Sequence, residues 1–293
     1  MSPLQIYYWD VHNNFGDLIN PWLWPKLIPE FDMEPLPKKE DGIVDAGDKD
    51  VLVGIGTLLN ARFPKGRNLY VMGSGVDYGE RPPLGDNTKI YCVRGPLSAK
   101  ALDLPESFAA IDAGVLVNRF LPEAPSVKYK FSYMPQISSV VKCPGVWEKV
   151  CNELGFGYLD PTYSVDQTIQ NIRETEVLLT ESMHGAIIAE ALRVPWIPIV
   201  TRQEILGFKW QDWCYSINEE YSPISVPPIY EKYKDSFLRN MKEKLSIQKA
   251  KSMLLKASKN KPTLGKESVL NSKSEYLLEK IELFREDYKN ESR

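Results

Sequence analysis

Histidine is scarce in this chain: only His12 and His184 occur in 293 residues. Cysteine is nearly as thin, with Cys92, Cys143, Cys151 and Cys214 far apart. They show no CxxC spacing and no neighbouring histidine, which excludes a zinc ribbon and a disulfide framework and leaves buried, reduced thiols in a cytosolic protein. No run of about eighteen apolar residues exists, so no segment is expected to span a bilayer. The N-terminus, Met1 to Asp10, lacks a basic region and meets an aspartate too early for a signal peptide. Basic excess is missing too: the formal net charge is −3, which argues against nucleic acid as the partner, since a polyanion needs a basic face.

What is present is ordinary globular composition, 43% hydrophobic and 26% charged, in a chain long enough for two domains. Residues 1–122 alternate apolar, β-rich runs (Leu4–Trp9, Val51–Val53, Leu69–Met72, Ile90–Val93) with turn or helix signals. All but the first run into glycine-bearing turns, Gly54-Ile55-Gly56, Gly73-Ser74-Gly75 and Arg94-Gly95. Continuous apolar strands punctuated this way predict a parallel sheet covered on both faces. The stretch Leu121–Ser126, polar and proline-bearing, reads as an interdomain linker.

Residues 126–230 repeat the pattern, with a strand at Lys128–Met134 and helices at Val146–Leu154 and Val165–Arg173. A strand, polar turn, short helix and second strand follow over Glu176–Val200. Residues 231–293 change character: 232–266 holds eleven Lys or Arg with Phe237, Leu238, Met241, Leu245, Leu254 and Leu255 interspersed. This predicts one or two amphipathic helices, interrupted near Thr263–Ser268, and a final helix at Ser274–Tyr288. Such a tail can pack back on the body or offer a basic surface to anionic lipid headgroups.

The turn in 176–200 carries Glu181, Ser182 and His184. An imidazole just ahead of a helix feels the positive end of its dipole, which favours the neutral form until an anion binds beside it. His184 is therefore the candidate general acid or anion anchor. Ser182 or Glu181 could cap the helix, and Glu181 could instead orient the imidazole or act as a base. After the first strand, Asn13-Asn14-Phe15-Gly16-Asp17 predicts a tight turn into a helix, with Asp17 as the cap and free N–H groups facing a ligand.

Arg94, at a strand's end before Pro96, could grip a carboxylate or phosphate bidentately, or form a plain ion pair. Gly54, Gly73, Ser74 and Gly75 permit close backbone approach without completing a phosphate-binding fingerprint. Lys209 and Asp212, framed by Phe208, Trp210 and Trp213, form an aromatic segment suited to stacking on a sugar or to core packing.

These pieces, taken in order over roughly residues 5–220, resemble the polysaccharide pyruvyl transferases. They are Asn14-Phe15-Gly16-Asp17, the two Gly-x-Gly turns, Val93-Arg94-Gly95-Pro96-Leu97-Ser98, Ile111-Asp112-Ala113-Gly114-Val115-Leu116, Glu181–Ala191 and Phe208–Trp213. The resemblance implies an α/β protein with two Rossmann-like domains in a GT-B-like arrangement and a C-terminal helical tail. It implies a cytoplasmic transferase, without metal or cofactor, that moves the enolpyruvyl unit of phosphoenolpyruvate onto two hydroxyls of a sugar. The product is a cyclic ketal of bacterial exopolysaccharide or capsule. The basic segment 232–266 in turn suggests a lipid-linked acceptor, with peripheral contact at the inner membrane face.

In this reading His184 and Glu181 are catalytic. Arg94, Lys209, Ser182, Asn14, Gly16, Asp17, Gly54, Gly73, Ser74 and Gly75 bind substrate. Some members place an arginine two residues before the histidine. Ser182 stands there in this chain, so an anion contact falls to Arg94, Lys209 or another base. Two rivals remain: a GT-B glycosyltransferase using a nucleotide sugar, and a non-catalytic glycan-binding component.

Overall fold

The computed structural model describes residues 3–10, 12–38, 42–77, 81–121, 123, 125–202, 207–229 and 237–291, the last with side chains from 244 onward. Part of the expected linker 121–126, residues 231–236 and the side chains of Phe237, Leu238 and Met241 therefore lie outside the described residues. The chain forms two compact units, each discontinuous in sequence. One comprises Met1–Arg119, Leu206–Glu220 and Gly265–Arg293; the other comprises Phe120–Ile205 and Tyr221–Leu264. Residues 231–293, read from sequence as one tail, are thus divided between the two.

The first unit is built on a parallel sheet of β1 (Leu4–Trp9), β2 (Met33–Lys38), β3 (Val51–Val53), β4 (Leu69–Ser74) and β5 (Thr88–Val93), in the order β2-β1-β3-β4-β5. Its strands read as unbroken apolar runs because both faces are covered. One face places Tyr7, Val51, Val53, Val71 and Val93 against Leu58, Leu59, Phe63 and Ala99. The other receives the long terminal helix: the Phe284 ring lies 5.2 Å from that of Tyr70 and 5.6 Å from that of Tyr91. Strand β2 was not foreseen, because Pro35 and Pro37 interrupt its pattern. It is tolerated because it lies at the sheet's edge, where a missing N–H costs no ladder bond on the open side.

Helix α1 (Phe15–Leu27) contains Pro21, which strips the Asp17 carbonyl of its helical donor. The Asn20 amide takes that place, donating to the Asp17 carbonyl at 3.2 Å. Asn20 also exchanges two 2.8 Å bonds with the backbone of Ile55, fastening α1 to the turn after β3. Helix α2 (Pro96–Ala101) starts at a proline after β5.

The second unit holds β6 (Tyr129–Met134), β7 (Gly157–Tyr158), β8 (Thr175–Thr180), β9 (Trp196–Val200) and β10 (Ile224–Ser225), all parallel, in the order β10-β9-β8-β6-β7. Around it run α3 (Ile137–Lys142), α4 (Val146–Leu154), α5 (Val165–Arg173) and α6 (Met183–Ala191). Helix α4 ends as its sequence predicts, at Gly155 with φ +69°. Tyr133, Leu179, Ile197 and Ile199 share one core with Trp147, Val150, Leu254 and Ala257.

Helix α7 (Gly207–Ser216) belongs to the first unit, α8 (Phe237–Ala257) to the second and α9 (Glu267–Glu291) to the first. Between α8 and α9, Thr263 pairs with Trp196 at the start of β9 through two backbone bonds of 2.7 and 2.9 Å. Helix α9 buries Leu270, Leu277, Ile281, Phe284 and Tyr288, one stripe at helical spacing, as an amphipathic sequence requires. No helix among the described residues is long and apolar enough to cross a membrane.

Candidate functional site

In the first unit, the carboxyl ends of the parallel strands gather a cluster of charged groups. This is the edge where α/β sheets take ligands. At its centre Arg94 and Asp212, both with 0% of the side chain exposed, form an ion pair at 3.1 Å. Asp212 also accepts from the N–H groups of Leu97 and Ser98, each at 2.9 Å, and from the Ser98 hydroxyl. It therefore caps α2 from a different helix while holding the guanidinium. The second arm of Arg94 donates from Nη1 to Thr57 Oγ1 at 3.0 Å. The last nitrogen, Nη2, has no hydrogen-bond partner among the described residues.

Glycines make this core possible. A Cβ on Gly75 would overlap the Arg94 guanidinium, and one on Gly95 would overlap Asp212. Gly73 adopts φ +77° at the β4 irregularity, where a side chain would crowd the Ile111 carbonyl at 3.2 Å. Ser74 is fully buried, and its hydroxyl bridges Gly56 O (3.2 Å) and Leu58 N (3.3 Å), zipping the two turns together.

Lys209, one turn before Asp212 on α7, lies in the fields of Arg94, Asp17 and Asp77. Burial and then Arg94 lower its pKa, while the two aspartates raise it. Asp17 is pushed up to about 6, chiefly by burial, with Asp10 adding to the rise and Asn14 and Lys209 opposing it. Asp112, fully buried, is also raised to about 6 by burial, opposed by Arg94 and the Gly114 N–H.

In the second unit the turn after β8 is tied down strongly. Glu181, 2% exposed, accepts from the Gln136 N–H at 2.9 Å and the Ser139 hydroxyl at 2.8 Å. The hydroxyls of Thr201 and Tyr133 bear on the same carboxyl group. Burial raises its pKa, and these donors oppose the rise. Glu181 thus ties the end of β8 to the turn after β6 and to α3. Ser182 is the N-cap of α6, accepting from the Gly185 N–H at 3.3 Å. His184 follows as the second residue of that helix, 8% exposed, at the end where free N–H groups point outward.

A family model for polysaccharide pyruvyl transferase matches residues 6–202. The chain belongs to that family. Its sequence is 39% identical over 230 residues to the succinoglycan biosynthesis protein ExoV of Rhizobium meliloti, covering 76% of this chain and 68% of that protein. A solved structure of an uncharacterised Klebsiella pneumoniae protein overlays 76% of this chain and 92% of its own, at 15% identity and a TM-score of 0.44.

The structure distributes the sequence-predicted residues of this family member unevenly. Arg94, Lys209, Asp17 and Asn14 come together in the first unit, and Glu181, Ser182 and His184 in the second. One detail differs from expectation, and at two further positions the structure shows which of two alternatives holds. Asn14, not Asp17, is the N-cap of α1; Asp17 sits in the first turn, accepting from the Asn14 amide at 2.7 Å. Arg94 has no exposed surface for a bidentate grip, because two of its donors are committed to Asp212 and Thr57. Trp210 and Trp213 lie on a full helix and are wholly buried, so core packing, not a sugar platform, accounts for them.

Gly16 is buried at the start of α1, and Gly54 leaves room for the Trp24 indole. The residues that escaped the sequence are Thr57, Asp77 and Asn20. Only Thr57 carried a signal, a hydroxyl one position beyond Gly54-Ile55-Gly56.

The raised pKa of Asp17 has a measurable consequence. Its carboxyl group binds a proton more tightly in the folded than in the unfolded chain, so the stability it confers is present below about pH 4 and lost as pH rises through about 6. Asp17→Asn removes that titration. Its stability relative to wild type is expected to rise by roughly 1–2 kcal/mol between pH 4 and 6, discounted for partial solvent screening, and to stay level above. Thermal unfolding across that range checks the sign.

Proposed function

We propose that this chain transfers the enolpyruvyl unit of phosphoenolpyruvate onto two hydroxyls of one sugar, forming a cyclic pyruvate ketal in exopolysaccharide biosynthesis. The observation that carries the reading is the cationic pair Arg94 and Lys209 at the carboxyl edge of a parallel sheet, in a member of the pyruvyl transferase family. The ExoV relative, named for succinoglycan biosynthesis, supports the exopolysaccharide context.

The donor carries a phosphate and a carboxylate, so its site needs cations and hydrogen-bond donors. Lys209, partly exposed, supplies the direct charge. Thr57 Oγ1 already accepts from Arg94, so its own hydrogen is free to donate to an anion. Arg94 thereby acts on the ligand through Thr57 and through its field, held in place by Asp212. In the second unit, Ser182 and Glu181 keep the turn of His184 fixed, and His184 is the proposed general acid.

Protonation at the enol methylene forms the C–H bond of a methyl group and leaves an oxocarbenium-like centre at the adjacent carbon. A first sugar hydroxyl adds there and loses its proton. The C–O bond to phosphate then breaks, and the phosphate leaves with the electron pair. The second hydroxyl closes the ketal and releases its own proton. One phosphoenolpyruvate and one diol become one ketal and one inorganic phosphate.

Thermal unfolding with millimolar phosphoenolpyruvate, beside a panel of nucleotide sugars, tests the donor. A ligand at 100 times its dissociation constant stabilises by about 2.7 kcal/mol, which raises Tm by several degrees in a chain of this size. A rise with phosphoenolpyruvate that Lys209→Ala reduces is the expected result. A rise with a nucleotide sugar alone would move the reading to the glycosyltransferase.

A further inference from the structure

Among its described side chains, helix α8 turns one face to solvent. Its core side is set by Ala250, Leu254 and Ala257, which are buried in the second unit. On the opposite side Leu245, Lys249, Ser252 and Lys256 follow one another at four, three and four residues, a single stripe, and all are exposed. Gln248 and Leu255 flank the stripe, and Lys259 and Lys261 continue the exposed charge just past the helix end. Leu245 is 66% and Leu255 41% exposed, among the most solvent-accessible large apolar side chains of the protein.

The charge of this segment is one-sided. Residues 244–261 contain six lysines and no acidic residue, in a chain whose net charge is −3. Of the six, Lys251 is spent on Glu153 at 2.8 Å. The lysines of the outer stripe have no ion pair among the described residues. A solvated helix face usually mixes signs, because interspersed acids relieve repulsion between like charges one turn apart. Here nothing relieves it, so a counter-charge supplied from outside would be favourable.

We propose that this face of α8 docks on an anionic lipid bilayer. The choice of a bilayer over another polyanion rests on the two leucines. A stripe of lysines alone suits any phosphate-rich surface. Exposed leucines within and beside it gain only where apolar material lies behind the phosphates. The stripe from Leu245 to Lys256 is about 16 Å long and straight, so its groups can meet a flat surface together. Lys249 and Lys256 then lie at headgroup level while Leu245 and Leu255 reach towards the acyl boundary. Docking at this face needs no helix to enter the hydrocarbon core. It is independent of the reaction proposed above, since no residue of the stripe belongs to the candidate site.

Flotation of the full-length protein with vesicles tests the inference without any catalytic readout. The vesicles are pure phosphatidylcholine, or phosphatidylcholine with about one-third phosphatidylglycerol, at low and at half-molar salt. Binding to the anionic vesicles alone, lost at high salt, is the expected result. Lys249→Ala combined with Lys256→Ala should lower the partition coefficient about 25-fold, at roughly fivefold per lysine. Leu245→Ser should weaken it further with the charge unchanged.

Because these positions are exposed, the variants should melt with wild type, and that control accompanies the assay. Absence of flotation at low salt, or flotation indifferent to all three substitutions, would overturn the proposal. So would binding to a DNA duplex as tight as to the vesicles and untouched by Leu245→Ser, which would mark a general polyanion surface.

Discussion

His184→Ala is expected to lower kcat by about 10²–10⁴-fold while leaving Tm within a degree or two of wild type. The size follows from the proposed role: a positioned general acid contributes about that factor, and no second histidine lies nearby in sequence to replace it. The stability forecast follows from location. His184 is the second residue of α6, and the cap of that helix is made by Ser182. His184→Gln should be as inactive as alanine, because it restores shape and hydrogen bonding but no titratable proton. Phosphate release from phosphoenolpyruvate in the presence of acceptor measures both. Near-wild-type turnover in either variant would remove His184 from the chemistry and leave it a structural residue.

The second large effect concerns Asp212. Asp212→Ala leaves a fully buried guanidinium without its carboxylate and opens the first turn of α2. Removing one partner of a buried pair costs about 3–5 kcal/mol, enough to abolish folding of a marginal domain at 37 °C. Asp212→Asn is the informative companion. It keeps an oxygen for the Leu97 and Ser98 N–H groups but gives up the charge on Arg94. A loss of about 1–3 kcal/mol is expected there, with donor KM rising more than kcat falls, because Arg94 and Lys209 would shift together. Urea unfolding read beside steady-state kinetics separates the two. Wild-type stability for Asp212→Ala would show that the pair is not what holds α2, α7 and the end of β5 together.

The helices and strands that sequence revealed are those whose burial is written in local pattern. Leu69–Met72 and Ile90–Val93 are unbroken apolar runs, and they lie in β4 and β5, buried for most of their length. Strand β2 was hidden because Pro35 and Pro37 forbid a central strand, and nothing local says that Met33–Lys38 is an edge. Helix α7 is legible in sequence only as an aromatic segment, since Phe208, Trp210 and Trp213 in so short a stretch give no clean helical period. The division of residues 231–293 between units was beyond reach, because the choice depends on which surface each amphipathic helix finds.

The site shows the same boundary. The turn Glu181–His184 stood out because strand, cap and helix follow in sequence within a few residues. The Arg94–Asp212 pair spans 118 positions, and no local rule joins its halves. Arg94 could therefore be chosen as a charge at a strand's end, while the acid that consumes one of its donors remained invisible as its partner. Thr57 was missed for a related reason: a hydroxyl becomes a candidate anion donor only once Arg94 is seen to occupy its lone pair.

The measurement that bears most directly on the account is mass spectrometry of a saccharide acceptor incubated with the protein and phosphoenolpyruvate. The account predicts that each acceptor gains the mass of pyruvic acid less one water, with one inorganic phosphate released per product and none when His184 is alanine. Addition of a hexose from a nucleotide sugar, with phosphoenolpyruvate recovered intact, would contradict it.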